Sequence, residues 1–229
     1  ASNYNLTSST LTVTTRPLSL SGSRVYDSTT SVAASDLSTM TNLVGSETII
    51  LSGNGVIGNK NVADSIAITN VSGLSLGDGS NGGLASNYTL SGGTHTVNVT
   101  KRPITISGSK TYDGSTTVQN SSISTISNRA GGETLNLNGS GTVDSAAVGT
   151  NKAISLGSLA LADNSGLASN YEISSGSFDV NVRDVTFVGT RPYDGTTDAN
   201  TSNFTSTFSN LVSGENLNLT GSGSVASKN

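Results

Sequence analysis

The sequence predicts an all-β protein built from tandem repeats, and three observations lead to that prediction. Ser, Thr, Asn and Gly account for 123 of the 229 residues, while hydrophobic residues account for 33%. The Val, Ile and Leu residues alternate with polar residues in short runs, which is the period of a β-strand. Three sequence blocks also recur in one fixed order. We therefore expect small β-sandwich-like domains joined end to end in an elongated rod.

The composition favours a folded chain over a disordered one. The net charge is only -4 and charged residues are 11% of the chain, whereas disordered chains usually combine high charge with few aliphatic residues. Thr and Val favour strands, and Gly and Asn favour turns, so almost no helix is expected. No apolar run approaches the roughly 18 residues that predict a membrane span. With 11 basic and 15 acidic residues, the chain offers no charge pattern for nucleic acid.

The first recurring block is a tyrosine followed by an aspartate. It is Tyr112-Asp113-Gly114-Ser115-Thr116-Thr117, and it returns as Tyr193-Asp194-Gly195-Thr196-Thr197 and, more loosely, as Tyr26-Asp27-Ser28-Thr29-Thr30. The tyrosines are 86 and 81 residues apart. A period of this length indicates one small domain for each copy.

Two further blocks repeat with the same period. Leu84-Ala85-Ser86-Asn87-Tyr88 returns as Leu167-Ala168-Ser169-Asn170-Tyr171, and Ala1-Ser2-Asn3-Tyr4 is its remnant. Glutamates 47, 133 and 215 each stand just after a glycine and before an apolar alternation. On this register the chain holds the tail of a preceding repeat (1–16), repeat 1 (17–102), repeat 2 (103–183) and the first half of repeat 3 (184–229).

Repeat 2 shows the strands expected of one domain. Alternating or apolar segments separated by Gly, Asn and Asp turns predict strands at 104–106, 134–137, 153–156, 159–161, 171–173 and 178–182. The junctions carry Arg16-Pro17 and Arg102-Pro103, and proline restricts both its own backbone and that of its predecessor. The linkers are therefore expected to be short and stiff. The third junction, Arg183-Asp184, lacks the proline, so a different angle between domains is expected there.

The two ends leave alternatives open. Leu11-Thr12-Val13 is predicted to close a repeat, and Leu217-Asn218-Leu219 to belong to the opening half of another. If the structural unit is permuted, with domains near 1–60, 61–150 and 151–229, residues 11–13 should pair with 49–51 of the same chain. If the ends instead complete each other between molecules, residues 11–13 should pair with 217–219 of a neighbour.

The repeated blocks resemble the YDG-domain family. The resemblance rests on the Arg-Pro openings, the Tyr-Asp-Gly-x-Thr-Thr core, the mid-repeat Lys60-Asn61-Val62 and the Ala-Ser-Asn-Tyr ending, and it covers essentially the whole chain. It implies the repeats of large, secreted or surface-attached, haemagglutinin-like bacterial adhesins, often exported by two-partner secretion. Repeat 1 departs from the family pattern at Ser28, and repeat 2 departs at Ala146-Ala147-Val148.

The Tyr-Asp blocks are interpreted as structural. We expect each tyrosine (Tyr26, Tyr112, Tyr193) to be buried and to anchor a turn, with each aspartate (Asp27, Asp113, Asp194) capping backbone amides and with Gly114 and Gly195 in the turn. A ligand site at these residues is the alternative.

Nothing in the sequence predicts catalysis or a cofactor. His95 is the single histidine, cysteine is absent, and the acids Asp78, Asp144, Asp163 and Asp179 are scattered. The loop 77–82 lacks most ligands of a calcium loop and is predicted to be a solvated turn. The chain is therefore not expected to be an enzyme or to hold a metal.

Two functions from different classes remain. The first is a stalk whose partners are the neighbouring repeats of the same chain. The second is a module that binds host-surface glycan or protein through its loops. Phe204 and Phe208, confined to repeat 3, are the candidates for such a patch, although they equally suit a core. Aromatic residues make up only 4% of the chain and tryptophan is absent, which favours the stalk.

Overall fold

The computed structural model describes residues 8–228, with the side chains of 205–207 left out. The described chain consists of twenty-one strands and five 3-10 helices, and it holds no α-helix. The prediction of an all-β fold built from tandem domains is therefore confirmed. The 3-10 helices are Ala34–Asp36, Ala85–Asn87, Asn120–Ser122, Ala168–Asn170 and Thr201–Asn203.

The contacts divide the chain into two compact units, each made of three segments. Unit 1 comprises the described parts of Ala1–Ile104 with Asn128–Asn136 and Leu161–Ser174. Unit 2 comprises Thr105–Ser127, Leu137–Ala160 and the described part of Ser175–Asn229. Unit 1 thus contains repeat 1 together with two segments of repeat 2.

Repeat 1 contributes nine strands to unit 1. They are β1 (Arg16–Pro17), β2 (Ser19–Val25), β3 (Ser31–Ala33), β4 (Thr39–Thr41), β5 (Ile49–Ile57), β6 (Ala63–Asn70), β7 (Leu74–Asp78), β8 (Tyr88–Thr89) and β9 (His95–Thr100). Strands β1 and β8 pair in parallel, and the main sheet has the order β3-β5-β6-β9-β2-β4, with β7 added to β5. Within that sheet β2 and β9 are parallel and the other pairs are antiparallel.

Strand β5 changes partners along its length. Its first half, through Gly53, pairs with β7, and its second half pairs with β3 and β6. The change occurs at Gly53, where φ is 85° and an added Cβ would lie 2.0 Å from the carbonyl oxygen of Gly73. Glycine is needed here because no other residue adopts this backbone without strain and a clash.

Repeats 2 and 3 contribute the remaining strands. They are β10 (Arg102–Thr111), β11 (Thr117–Gln119), β12 (Ile123–Ser127), β13 (Asn136–Asn138), β14 (Ser140–Thr142), β15 (Gly149–Ala153), β16 (Ala160–Ala162), β17 (Tyr171–Asn181), β18 (Thr186–Gly189), β19 (Asp198–Asn200), β20 (Phe204–Ser209) and β21 (Ser222–Ser224). Unit 2 contains a four-stranded sheet in the order β12-β10-β17-β15 and the pairs β11-β14, β18-β20 and β19-β21.

Each unit has its own thin core. In unit 1 the parallel strands β2 and β9 supply the centre, because Leu20, Val97 and Val99 are each no more than 2% exposed. In unit 2 the core contains Val118, Val143, Phe178 and Val180, with Tyr112 packed beside them. Burial of such side chains stabilises each unit by roughly 1.5–3 kcal/mol per residue.

The prediction of a strand at Leu11-Thr12-Val13 is wrong. Residues 8–15 form no strand, and Leu11 and Val13 are 90% and 87% exposed. The corresponding strand β9 of repeat 1 is held by β6 on one side and by β2 on the other. Alternation alone does not make a strand without a partner.

The expected pairing of residues 11–13 with 49–51 of the same chain is not formed, whereas their pairing with 217–219 of a neighbouring molecule stays a prediction. Residues 49–51 pair instead with β7, so the predicted permutation of the strands is wrong in this respect. Residues 217–219, expected as a strand, have no strand structure. Their counterparts at 49–51 form a strand that pairs with β7. Residues 1–7, with the remnant Ala1-Ser2-Asn3-Tyr4, lie outside the described residues.

Candidate functional site

The three Tyr-Asp blocks each form the same turn. In repeat 1, Asp27 Oδ1 accepts hydrogen bonds from the backbone N–H and the hydroxyl of Thr29, both at 2.9 Å. Asp113 accepts the N–H of Ser115 at 2.9 Å, and Asp194 accepts the N–H of Thr196 at 3.0 Å. An aspartate bonded to the amide two residues ahead is an Asx turn, which fixes the direction of the chain after the tyrosine.

The residue after each aspartate lies in the left-handed region. It has φ of 75° at Gly114 and 76° at Gly195, and Ser28 adopts 68° at the same position of repeat 1. The departure of Ser28 from the family pattern therefore leaves the turn intact. It places a serine where glycine is the residue with the least strain.

A basic residue three positions before each aspartate completes the turn. Arg24 donates to Asp27 and, at 2.6 Å, to the carbonyl oxygen of Thr29. Lys110 lies 2.8 Å from Asp113, and Arg191 donates to Asp194. Sequence reasoning missed this residue, although a basic side chain two positions before every tyrosine was visible.

The charged partners lower the pKa of these aspartates. Burial alone would raise the pKa of Asp27, but hydrogen bonds from Thr29 and Arg24 outweigh it and hold the pKa below the ordinary value of 3.8. The pKa of Asp194 falls to about 2, chiefly because Arg191 donates to its carboxylate. All these carboxylates are thus held in the charged form that the turn requires.

The three tyrosines differ in burial. Tyr26 is 1% exposed, Tyr112 is half-buried and Tyr193 is 70% exposed. Because the turn is the same in each copy, the difference comes from what surrounds the ring. For Tyr26 the surroundings are side chains of repeat 2.

Glu133 of repeat 2 accepts hydrogen bonds from two tyrosines. Its Oε1 accepts the hydroxyl of Tyr26 and its Oε2 accepts the hydroxyl of Tyr171, both at 2.7 Å. The two rings meet edge to face with centroids 5.4 Å apart. The hydroxyl of Tyr171 also accepts the N–H of Ala130 at 3.1 Å. A carboxylate thus links the turn of one repeat to the Ala-Ser-Asn-Tyr block of the next.

Lys60 of repeat 1 adds a positive charge to this cluster. Its Nζ lies 3.3 Å from Glu133 Oε1, and the Lys60 side chain is 41% exposed, whereas that of Glu133 is 12% exposed. An ion pair with one exposed partner contributes little, typically about 0–1 kcal/mol. The two hydroxyl donors therefore dominate, because hydrogen bonds to a charged and shielded acceptor are the strong ones.

The cluster shifts the pKa of all three groups. Burial, followed by the hydrogen bond to Glu133, raises the pKa of Tyr26 to about 12. The same two causes raise the pKa of Tyr171 to about 12. Burial would raise the pKa of Glu133, but the hydrogen bonds from Tyr171, Tyr26 and Lys60 together lower it. Neutral tyrosines and a charged glutamate are the stable combination.

Each of the equivalent glutamates, Glu47 and Glu215, accepts a hydrogen bond from one tyrosine. Glu47 accepts the hydroxyl of Tyr88, as Glu133 accepts that of Tyr171. In unit 2, Glu215 accepts the hydroxyl of Tyr112, as Glu133 accepts that of Tyr26. Within residues 8–228, two tyrosines converge on Glu133 alone. The repeating glutamate was recognised from the sequence only as a marker of the period, and its role as the acceptor was missed.

A second link joins repeats 1 and 2 beside Glu133. Asn170 of the Ala-Ser-Asn-Tyr block is 1% exposed. Its Oδ1 accepts the N–H of Val62 at 2.9 Å, and its Nδ2 donates to Asn61 Oδ1 at 3.0 Å. The mid-repeat Lys60-Asn61-Val62 and the Ala-Ser-Asn-Tyr block therefore meet across the junction.

The arginine of each junction binds one asparagine in the same way. Arg102 donates through Nε to the carbonyl oxygen of Asn128 at 2.5 Å and through a terminal nitrogen to its Oδ1 at 2.8 Å. Arg16 with Asn42 and Arg183 with Asn210 repeat this pair of bonds. All three asparagines have positive φ, between 65° and 75°. This conserved geometry persists at the junction that lacks proline.

The arginine also reaches the preceding turn. Arg102 donates to the carbonyl oxygen of Tyr26, and Arg183 to that of Tyr112, both at 3.3 Å. The asparagine side chain in turn donates to the junction backbone, at Pro103 for Asn128 and at Asp184 for Asn210. We call each such set an arginine–asparagine clasp. At Arg102 and Arg183 it ties the start of a Tyr-Asp turn to the start of the next repeat.

The remaining candidates have local structural contacts. His95 is buried and its Nε2 lies 2.8 Å from the carbonyl oxygen of Leu90. Asp78 and Asp163 each accept, at 2.7 Å, an N–H at the start of the Ala-Ser-Asn-Tyr turn. Phe187 lies edge to face with Phe204 and Phe208 in unit 2. Among residues 8–228, no group of three or more His, Asp or Glu side chains is arranged to hold a metal ion.

The described residues include no helix of the length and hydrophobicity that a bilayer span requires. A comparison with protein families matches the YDG domain twice, at residues 6–97 and 97–178. No curated protein and no solved structure matches the chain significantly. The two matched segments together cover well over half of the sequence.

Proposed function

Since the chain belongs to the YDG-domain family and carries two tandem copies of that domain, we propose that its repeats form the stalk of a secreted or surface-attached, haemagglutinin-like bacterial adhesin. In this role the repeats hold a separate binding region away from the cell and have no catalytic activity. Their partners are the neighbouring repeats.

The observation that supports this proposal most is the use of the repeated residues as links between repeats. Tyr26 and Tyr171, from two different repeats, share Glu133, and Asn170 binds the backbone of Val62. A binding module would place its recurrent polar residues on a free surface. Here they satisfy one another, which suits a spacer that must transmit orientation from one domain to the next.

The contacts of the charged side chains support the same proposal. The charged side chains of the turns and junctions, such as Arg24, Asp27 and Arg102, bind backbone atoms or each other within the chain. Side chains engaged in this way are poorly placed to bind a ligand, because ligand binding would have to break several charge-assisted hydrogen bonds.

A display experiment tests the stalk. The chain is placed between an outer-membrane anchor and a fluorescent head, and the height of the head above the membrane is measured by super-resolution microscopy. Inserting a further copy of 17–102 in register should raise the head by a constant step. A flexible Gly-Ser linker of the same length is the control, and an equal height for both would contradict the proposal.

Scattering in solution provides a second check. A stalk predicts a radius of gyration well above the roughly 17 Å expected for a compact chain of this length. A value near that compact limit would count against an extended arrangement, whatever the display experiment gives.

A specific feature of repeat 3 favours a second function, the binding of host glycan or protein. Phe187 and Phe204 line an open cleft of about 260 Å³ together with Ala199 and Leu219, and repeats 1 and 2 have no phenylalanine in the equivalent strands. A glycan array probed with this chain and with its Phe187→Ala variant distinguishes the two functions. A specific signal that the substitution abolishes would establish the binding module.

A further inference from the structure

The opening strand of repeat 1 is bonded in parallel to its own closing strand. Six consecutive register pairs join β2 to β9, from Leu20 with His95 to Val25 with Thr100. The pairing is extended at one end by β1 with β8 and at the other by a bond from the N–H of Tyr26 to the carbonyl oxygen of Thr100, at 2.9 Å. Backbone hydrogen bonds thus join nearly all of the segment from Arg16 to Tyr26 to the closing part of the same repeat.

The bonds between these two strands are shielded. Strand β4 covers the far edge of β2 at residues 19–21, and β6 covers the far edge of β9. Leu20, Val97 and Val99 are at most 2% exposed. Water cannot readily compete for backbone hydrogen bonds in such a place, so they are slow to exchange individually.

Repeat 2 has the same order of strands. Its opening strand β10 lies next to its closing strand β17, between β12 and β15. In unit 2 the N–H of Tyr112 donates to the carbonyl oxygen of Asn181 at 2.9 Å, which is the counterpart of the bond between Tyr26 and Thr100. The placement of the opening strand beside the closing strand is therefore shared by both repeats.

The direction of the chain decides how tension acts on this pair. Tension on the chain before Arg16 pulls β2 toward its own beginning, and tension on the chain after Thr100 pulls β9 toward its own end. Because the strands are parallel neighbours, these pulls slide one strand along the other. Sliding loads all the hydrogen bonds between them at once, whereas separation from one end would break them one after another.

The path of the load continues from one repeat to the next. Only Lys101 separates the end of β9 from the start of β10. Tension that leaves repeat 1 through β9 therefore enters the opening strand of repeat 2 directly. The rest of repeat 1, such as the antiparallel pair of β5 and β7, lies off this path.

We propose that the parallel pair of opening and closing strands is a tension-bearing clamp, which makes each repeat resist unfolding when the chain is pulled from its two ends. The inference rests on the proposed stalk function, because a stalk under load is where such a clamp matters. Resistance to force depends on the barrier to unfolding along the pulled direction, which is a different quantity from the free energy of unfolding.

Single-molecule force spectroscopy tests the clamp with two pairs of attachment points. The chain has no cysteine, so introduced cysteines are unique handles. The variant Thr15→Cys/Lys101→Cys pulls the strands past each other, and Thr30→Cys/Lys101→Cys separates them from the shared end near Val25 and Thr100. Thr15, Thr30 and Lys101 are all exposed. We expect a several-fold higher rupture force for the first pair, and equal forces would overturn the clamp.

The released length identifies what has unfolded. In the first variant, opening of repeat 1 should lengthen the tether by about 300 Å, at roughly 3.6 Å for each residue, less the distance between the handles in the folded state. A rupture that releases a much shorter length would mean that an element outside the clamp had yielded first, and it would also contradict the proposal.

Two core substitutions separate mechanical from thermodynamic effects. Val97→Ala alters the clamp strand β9, and Leu74→Ala alters β7, away from the clamp; both side chains are buried. In the Thr15→Cys/Lys101→Cys background, we expect Val97→Ala to lower the rupture force several-fold more than Leu74→Ala for the same loss of stability. If the two substitutions lower the rupture force in proportion to the free energy of unfolding that each one removes, the clamp is refuted. The height measurements that test the stalk would not be affected by that result.

Discussion

The side chain of Asn170 in repeat 2 accepts a hydrogen bond from the backbone N–H of Val62 in repeat 1, at 2.9 Å. Asn170 is 1% exposed, whereas Asn87, at the same position of repeat 1, is exposed. The two asparagines belong to identical Ala-Ser-Asn-Tyr segments. Their environments differ because only Asn170 has a neighbouring repeat packed against it in the described chain.

Replacing Asn170 by alanine is expected to destabilise the junction by roughly 1–3 kcal/mol, because the N–H of Val62 loses its acceptor and Asn61 loses its donor. Asn87→Ala is the matched control and should change stability by no more than about 0.5 kcal/mol. Hydrogen exchange of the Val62 amide reports on the junction directly. Equal effects of the two substitutions would show that the bond across the repeats contributes nothing.

Tyr26 and Tyr112 provide a second matched pair. Tyr26→Phe removes the bond to Glu133 in a buried setting and should cost about 1.5–3 kcal/mol, since the acceptor is charged. Tyr112→Phe removes the corresponding bond to Glu215, where the ring is only half-buried, so the cost should be smaller. Urea unfolding followed by domain-resolved hydrogen exchange measures both. A larger cost for Tyr112→Phe would mean that Glu133 is not the stronger acceptor.

The burial of Tyr26 also determines the effect of complete removal of its side chain. Tyr26→Ala is expected to cost roughly 3–5 kcal/mol, as for other buried aromatic residues. From the sequence alone Tyr112 was expected to be equally buried, but its side chain is only half-buried. The loss of protection after Tyr26→Ala should reach Glu133 and Tyr171, because their contacts with the ring are lost.

Alkaline pH should weaken the junction. The pKa of Tyr26 and of Tyr171 is raised from 10.0 to about 12 by the fold. Each therefore contributes stability that is complete below pH 10 and is lost as the pH rises through 12. We expect the free energy of unfolding to fall across this window. The absorbance of tyrosinate should show at least two tyrosines that ionise well above pH 10.

Glu133→Gln is the control for the alkaline transition. Without the carboxylate, the pKa of both tyrosines should move down toward 10, although burial will keep it above that value. The matched substitution Glu47→Gln should leave the titration of Tyr26 and Tyr171 unchanged, because Glu47 contacts neither. A shift of the late titrations by Glu47→Gln would contradict the assignment.

The turn of repeat 1 should be improved by glycine. Ser28 has φ of 68°, and a side chain in this region costs about 1–2 kcal/mol, partly offset by the greater unfolded-state freedom of glycine. Ser28→Gly is thus expected to stabilise repeat 1 by roughly 0.5–1 kcal/mol. The reverse change, Gly114→Ser, should destabilise, since an added Cβ would lie 2.9 Å from Val212. Thermal unfolding of the two variants tests both directions.

The sequence predicted the all-β fold and the tandem organisation because local patterns encode them. Alternation predicts strands, and Asp followed by Gly or Ser predicts the turn at Asp27 and its counterparts. It did not predict the parallel pairing of β2 and β9, because these strands lie some 75 residues apart and no local pattern specifies a distant partner. The strands predicted at 11–13 and 217–219 failed for a different reason, because alternation alone does not make a strand without a partner.

The site was predicted in part. The tyrosines and aspartates were identified by their recurrence, whereas Glu133 was recognised only as a marker of the period and the clasp residue Asn128 was not identified. Both recur at a fixed distance from the junction arginine, as Glu47 and Asn42 do from Arg16. Recurrence shows that a residue matters to every copy, but it does not show which copy it contacts. That information lies in the packing across the junction.

The sharing of Glu133 between Tyr26 and Tyr171 has a consequence for how such genes change in length. Each repeat carries the tyrosine that its successor needs and the glutamate that its predecessor needs. Unequal crossing-over that removes or adds one whole period therefore leaves every new neighbour pair matched. A breakpoint out of register would leave a carboxylate facing no hydroxyl. Matching at the junction alone is thus enough to keep the copies interchangeable when their number changes.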